Sequence, residues 1–339
     1  MSDTITFSAD ELSDLIVAAL VASNTGDGSA RSVARALVAA ECDGRKGHGF
    51  SRVPTYAGQA RSGKVDGRAV PSAERSTPGV LRVDANLGFF YPAMDLVFER
   101  LPAMARETGI AAAAIARSHH CGVIGHHVER FADEGLVALF VANTPKAMAP
   151  WGGTQAVFGT NPLAFAAPRR DGPPMVIDLA LSQVARGNIL TAAQAGKPIP
   201  EGWAFDADGK PTTDPEAALQ GTLLPVGGAK GSALALMVEI LAAPLIGASL
   251  STEATSFFTP DGAPPAVGQF LIVLDPDAFA GRESYLDRIE QLFAGITAQE
   301  GARLPGARGR ALREAARRDG LTVPAKLVDE VREIAAGRG

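Results

Sequence analysis

The hydrophobic period of this chain changes once, and that change limits the folds open to it. Over the first 65 residues apolar side chains recur at helical spacing; from residue 78 short apolar runs alternate with helical stretches. A helical layer followed by alternating strands and helices folds as an α/β protein, a sheet covered by helices. With 339 residues, 46% of them hydrophobic, the chain has the apolar surface for a large core and two or three domains.

Local signals place the elements. Ser8 followed by Glu11 is a capping box, and Leu12, Ile16 and Leu20 then share a face. A second helix is expected after Ser29, with Val33, Leu37 and Ala40 inward, and a third over residues 52–61, stopped by Gly63. Strands are expected at 80–83, 110–115, 136–142, 163–167, 176–179 and 269–274. Helices are expected at 92–106, 123–134 and 230–246, with a helical tail from residue 278. Residues 195–228, rich in Gly, Pro and Asp, read as a long surface excursion of the kind that often carries function. The resulting division is a helical N-terminal region (1–75), an α/β domain (76–300) and a helical C-terminal segment (301–339) that packs back on the first.

Charge and cysteine usage remove several classes. The net charge is -5 and no dense basic stretch with interleaved aromatics occurs, which argues against nucleic acid. Residues 233–245 form the most apolar stretch; Glu239 and Pro244 interrupt it and it is too short to span a bilayer. The start, MSDTITFSADEL, lacks a basic segment followed by an apolar one, and Cys42 and Cys121 lie far apart, so a cytoplasmic protein is expected. Arg303, Arg308, Arg310, Arg313, Arg317 and Arg318 read as a solvated helix face.

The chemistry-bearing residues fall in three segments. His48 stands between Gly47 and Gly49 with Arg52 four residues on; if a helix starts here, the two share a face. An imidazole donates protons near neutral pH, and a guanidinium fork matches a carboxylate, so the pair suits a small carboxylic acid, although a purely structural pair reads the same way. His119, His120, His126 and His127 lie within nine residues. Metal spacing is wrong for them, which leaves surface or helix-end histidines, or a place beside a cofactor where SHHCGVIG opens a helix whose free amides favour phosphate. VGGAKG, with Lys230, is either a phosphate-holding turn or a close helix-packing turn. No GxGxxG follows a strand, so an ordinary dinucleotide fold is not indicated.

These segments carry a resemblance. DGRKGHGFSRVPTYAGQARSG, RSHHCGVIG, NTPKAMAPWGG, FGTNPLAFAAP, VIDLALSQVARGN, PEGWAFDADGKPTTDP and GGAKGSALALMVEIL resemble the malate/L-lactate dehydrogenase type 2 family along nearly the whole chain. PTTDP, GSALALMVEILAA, PGAR and REAARRDGLTV look most like its cyclic ketimine reductase members. The resemblance implies a non-Rossmann nicotinamide-binding α/β fold, a mixed sheet with flanking helices, and a homodimer with the site near the subunit interface. It implies NADPH, with NADH also open, and no metal. It makes His48 the proton donor and Arg52, Thr160, Arg186 and Gly187 the substrate contacts. His120, Cys121, Gly122, Val123, Ile124, Asp178, Leu179, Ala180, Ala229 and Lys230 would hold the cofactor, with Leu304, Pro305, Gly306, Ala307, Arg308, Gly309 and Arg310. The expected activity is reduction of Δ1-pyrroline-2-carboxylate and Δ1-piperideine-2-carboxylate; the alternative is a 2-hydroxy acid dehydrogenase of malate, lactate or sulfolactate type. A decayed cofactor-binding protein and a metal-dependent enzyme are further readings. The family commonly has Ser before the histidine and the ketimine reductases Asp after the ARG-type turn; here these positions hold Gly47 and Asn188, and the usual HKG reads Ala229-Lys230-Gly231.

Overall fold

The capping box forms: Ser8 Oγ accepts the Glu11 amide (3.2 Å) while Glu11 accepts the Ser8 N–H (2.8 Å). In the computed structural model, which describes residues 3–338, it separates strand β1 (Thr4–Phe7) from helix α1 (Ala9–Val21). Helix α2 (Asp27–Cys42) starts two residues earlier than expected, and α3 (Val53–Ser62) follows two single 3-10 turns, Lys46–His48 and Phe50–Arg52. His48 and Arg52 therefore do not share a helix face as expected. The chain breaks at Gly49, and Pro54, which has no N–H to donate, sits in the first turn of α3.

A hairpin that the sequence reading only half foresaw comes next, β2 (Ser72–Thr77) with β3 (Val80–Asp84). Helix α4 (Phe90–Thr108) extends beyond 92–106, with Pro92 in its first turn, and leads to β4 (Ile110–Ser118), α5 (Ile124–Asp133), β5 (Val137–Ala142), β6 (Leu163–Ala167) and β7 (Met175–Leu179). Residues 195–228 are less irregular than expected. After α6 (Arg186–Gln194), strands β8 (Ala204–Phe205), β9 (Pro211–Thr212) and β10 (Thr222–Leu223) form a small sheet beside α7 (Pro215–Gln220). Helix α8 (Ala229–Ala242) stops short of 246 because Pro244 cannot continue it. Strand β11 (Val267–Leu274), α9 (Arg282–Thr297), α10 (Ala307–Asp319), β12 (Leu321–Pro324) and α11 (Ala325–Ala335) complete the chain. The tail is thus not wholly helical, since β12 pairs antiparallel with β1.

The main sheet is mixed and seven-stranded, in the order β2-β3-β4-β11-β5-β6-β7, with β3 and β4 parallel and the other neighbours antiparallel. One core joins Leu12, Ile16 and Leu20 of α1, Leu37 of α2, Tyr56 of α3, Ile115 and Phe140 of the sheet, and Val328 and Val331 of α11. A second, smaller core gathers Met148, Phe158, Leu181, Ile189, Leu223 and Val238. No helix among the described residues is long and apolar enough to cross a membrane.

Candidate active site

The loop that carries His48 is held from below by Glu41, in the last turn of α2. Its buried carboxylate accepts the Phe50 N–H (2.9 Å) and pairs with Lys46, whose ammonium also donates to the Thr322 carbonyl (3.1 Å). A Cβ at Gly49 would lie 2.1 Å from Glu41 Oε2, so only glycine lets the loop close down on this acid. His48 N–H donates to the Arg45 carbonyl (2.8 Å), and Arg52 Nε to the Gly47 carbonyl (2.8 Å). The terminal nitrogens of Arg52 make no hydrogen bond or ion pair among the described residues.

Strand β4 delivers the second part. Just past its end the His120 ring stacks on His48 (centroids 5.4 Å, planes 25° apart), and His120 Nδ1 meets the Tyr56 hydroxyl at 2.6 Å. His119 is buried against Tyr56, Phe89 and Phe257, and neither of its ring nitrogens has a hydrogen-bond partner. His127 Nε2–H donates to the Cys121 carbonyl (3.0 Å). His126 Nε2 bonds Asp43 (2.8 Å), and Arg313 of α10 braces both Asp43 (2.7 and 2.8 Å) and Glu129 (2.9 Å). Two expectations are corrected here. Most of the clustered histidines are buried, because the end of a central strand lies under α3 and α4, and the arginines of α10 are only in part solvated. No group of His, Cys, Asp and Glu that would suit a metal exists among the described residues.

A third element closes the site from above. Lys64, its side chain buried, donates to the carbonyls of Ser256 (2.7 Å), Thr259 (3.0 Å) and Asp261 (2.7 Å). Gln59 and Ser62 add bonds to the carbonyls of Thr259 (3.0 Å) and Pro260 (2.7 Å). At the other end, buried Glu239 accepts the Ser251 N–H (2.7 Å) and hydroxyl (2.6 Å). The strap so fixed turns Phe257 inward onto His119 and His120, and Phe258 outward, where the Arg52 guanidinium lies 4.6 Å from its ring centre.

Electrostatics follow from this packing. Burial, then the charges of Arg52 and Arg45, bring the His48 pKa down to about 4. Burial first, and Arg52 after it, lowers His119 to about 3 and His120 well below its usual range. Burial with no nearby cation pushes the Cys121 thiol up to about 12, so it is no nucleophile. Burial opposes ionisation of Asp43, yet the hydrogen bonds from Arg313 and His126 hold its carboxyl well below the usual range.

The cofactor residues expected from the sequence fall into two groups. His120, Cys121, Gly122, Val123 and Ile124 form the turn into α5, and Asp178, ahead of Leu179 and Ala180, accepts the Gly125 N–H of that helix (3.2 Å). The Asp178 carboxylate thus takes up one of the free amides of this helix start. Burial raises the Asp178 pKa. Lys230 is exposed in the first turn of α8; a Cβ at Gly231 would meet the Val226 carbonyl at 1.8 Å, so the glycines make a close-packing turn. Leu304, Pro305 and Gly306 lead into α10, whose first turn holds Ala307, exposed Arg308 and Gly309, while Arg310 donates to the Pro174 carbonyl.

Of the substrate residues, His48 and Arg52 come together. Thr160 N–H donates to Thr144 Oγ1 (3.0 Å), and the two hydroxyls are 3.5 Å apart. Arg186 donates to the Leu219 carbonyl, and Gly187 and Asn188 are exposed at the start of α6. Glu41, Tyr56, Lys64, Phe257 and Phe258 were not singled out from sequence. Tyr56, one helical turn after Arg52, and the Phe pair in a polar stretch were the available signals.

A catalytic-type imidazole, an uncommitted guanidinium and a half-buried carboxylate thus lie near the turn into α5. The family model described as malate/L-lactate dehydrogenase matches residues 7–332. The chain is 51% identical over 328 residues to the (2R)-3-sulfolactate dehydrogenase (NADP(+)) of Chromohalobacter salexigens, covering 97% of each. It is 44% identical to the Δ1-pyrroline-2-carboxylate/Δ1-piperideine-2-carboxylate reductase of Pseudomonas aeruginosa, over 96% of this chain and 98% of that one. The crystal structure of Δ1-piperideine-2-carboxylate reductase from Pseudomonas syringae pv. tomato superposes with a TM-score of 0.89 at 40% identity, over 97% of this chain and 99% of the other. The chain belongs to the malate/L-lactate dehydrogenase family and is an oxidoreductase.

Proposed function

We propose that this enzyme reduces the cyclic ketimines Δ1-pyrroline-2-carboxylate and Δ1-piperideine-2-carboxylate with NADPH, yielding L-proline and L-pipecolate. The observation that carries the reading is the state of His48. Its pKa is brought down to about 4, and no acid partner holds a proton on it among the described residues. Reducing a ketone creates an alkoxide that needs a proton during hydride transfer. A cyclic imine is readily protonated at nitrogen before hydride arrives and leaves as an amine, so an imidazole that is mostly neutral near pH 7 suffices. Bound nicotinamide supplies the hydride. Arg52 grips the substrate carboxylate through its two free nitrogens, and the stacked His48 and His120 with Phe257 form a dry wall around the reacting carbon.

A second reading, an NAD(P)-dependent 2-hydroxy acid dehydrogenase, is favoured by the relative at 51% identity, named for 3-sulfolactate and NADP(+). Arg45 agrees with it. This exposed guanidinium, one turn before His48 and free of ion pairs among the described residues, suits the second charge of a dianion, and a neutral imidazole is a competent base for alcohol oxidation.

The deciding experiment follows absorbance at 340 nm with both imines, pyruvate, oxaloacetate and sulfopyruvate, first with NADPH and then with NADH. Consumption with the imines supports the first reading; consumption with sulfopyruvate alone replaces it by the second. Run on His48→Ala, the same panel should lose about 10²–10⁴ in rate with an oxo acid and less with an imine.

The proposal extends to a homodimer. Helix α8 leaves Leu234, Leu236, Met237 and Ile240 exposed beside Leu245, an apolar face that a second copy would cover. Light scattering on the purified protein should give twice the chain mass; the mass of one chain removes this part.

A further inference from the structure

The strap at residues 251–262 holds a feature that the chemistry described so far does not use. Phe258 is 63% exposed, yet the segment beneath it is among the most firmly bonded in the molecule. A buried ammonium, Lys64, has no carboxylate partner and spends its donors on three carbonyls of this one turn. An exposed aromatic on a flexible loop needs no explanation. One fixed from below by a desolvated cation, with its ring against the guanidinium that receives the substrate carboxylate, is a built surface.

We propose that Phe258 is the specificity plate of the site, a fixed aromatic face beside Arg52 that receives the flat ring of a cyclic imino acid and discriminates against open-chain oxo acids. The inference rests on the ketimine reading and adds to it the residue that chooses between substrates. Its geometry follows from the contacts. Arg52 gives Nε to the Gly47 carbonyl and one face to Phe258, which leaves the edge of the guanidinium for the carboxylate. The ring that contains the carboxylate-bearing carbon, held at this edge, then reaches the part of the Phe258 face that the guanidinium leaves uncovered. An open-chain acid has no atoms there, and a second anionic group would meet the negative face of an aromatic. Lys64 acts through the strap and is a positioning residue.

The test uses the full-length parent, Phe258→Ala, Phe258→Tyr and Lys64→Met. The readouts are kcat and KM for Δ1-piperideine-2-carboxylate with NADPH, and the inhibition constant of oxamate, an open-chain carboxylate. Phe258→Ala is expected to raise KM for the ring substrate about tenfold or more, which is about 1.4 kcal/mol, and to weaken oxamate by distinctly less. The ratio of the oxamate inhibition constant to the ring-substrate KM reads the discrimination: Phe258→Tyr should keep the parent value, and Lys64→Met should lower it while leaving the ring side chain in place. An unchanged KM in Phe258→Ala, or an equal loss for ring substrate and oxamate, overturns the inference, the second outcome making Phe258 only a support for Arg52. A parent that reduces no cyclic imine overturns the functional reading together with it; a parent that does, with an unmoved ratio, overturns the inference alone.

Discussion

The two regions that supply candidate substrate contacts are built differently. Around residues 41–64 every functional group has a buried support: Glu41 under the His48 loop, Tyr56 on His120, Lys64 under the strap. Around residues 186–230 the corresponding groups sit at exposed helix starts, and the one guanidinium there, Arg186, is turned to a main-chain carbonyl. The first region is preorganised within one chain, which is what proton transfer and carboxylate capture require. The second presents exposed helix starts, the construction expected where a bound cofactor completes the surface.

The difference can be broken or sharpened by measurement. Among substitutions at supporting residues, the largest effect is expected at Glu41. Glu41→Ala leaves the Phe50 N–H buried without an acceptor, at a cost of about 1–3 kcal/mol, and frees the turn that aims His48. kcat should fall about tenfold or more with little change in KM, and Glu41→Gln, which keeps an acceptor, should recover most of it. A variant with lower Tm and unchanged kcat would show that the brace serves folding only.

Next in size is a pH effect. His48, His119 and His127 have folded pKa values of about 4, 3 and 4, below the ordinary 6.5, chiefly because burial disfavours their charged forms. The unfolded chain therefore takes up protons first as pH falls below 6.5. Stability is complete above that value and lost as pH falls to about 4 for His48 and His127 and to about 3 for His119, by up to about 1.4 kcal/mol per pH unit for each histidine. Tm measured from pH 7.5 downwards should drop steeply, and His119→Asn should make the slope shallower. A flat profile would mean that these rings are hydrated or charged in the folded state.

The smallest effect is expected in the second region. Arg186→Ala should change KM less than about threefold, because its guanidinium is engaged by Leu219. A rise in KM of about tenfold or more would place Arg186 on the substrate after all and erase the contrast between the regions.

Much of the architecture was legible in order but not in arrangement. The strands at 110–115, 136–142, 163–167 and 269–274 appear nearly where their apolar runs lie. That β11 pairs between β4 and β5 was not legible, since an apolar run states that it is buried and not beside what. Likewise His48 and Arg52 stood out by type and spacing, but the helix expected to align them does not exist there, because Glu41 and Gly49 make two short turns instead.

Local spacing and side-chain type by themselves determined the capping box, the helical start, the strand runs, the family motifs and the choice of His48 and Arg52 as a pair. Only the tertiary structure decided what state that pair is in. The stacking partner of His48 is 72 positions away in sequence, at His120, and the carbonyls that hold Lys64 are 192 to 197 away. Burial and the field of neighbouring charges depend on which distant segments return to the same place, and that is set by packing of the whole core and not by local pattern.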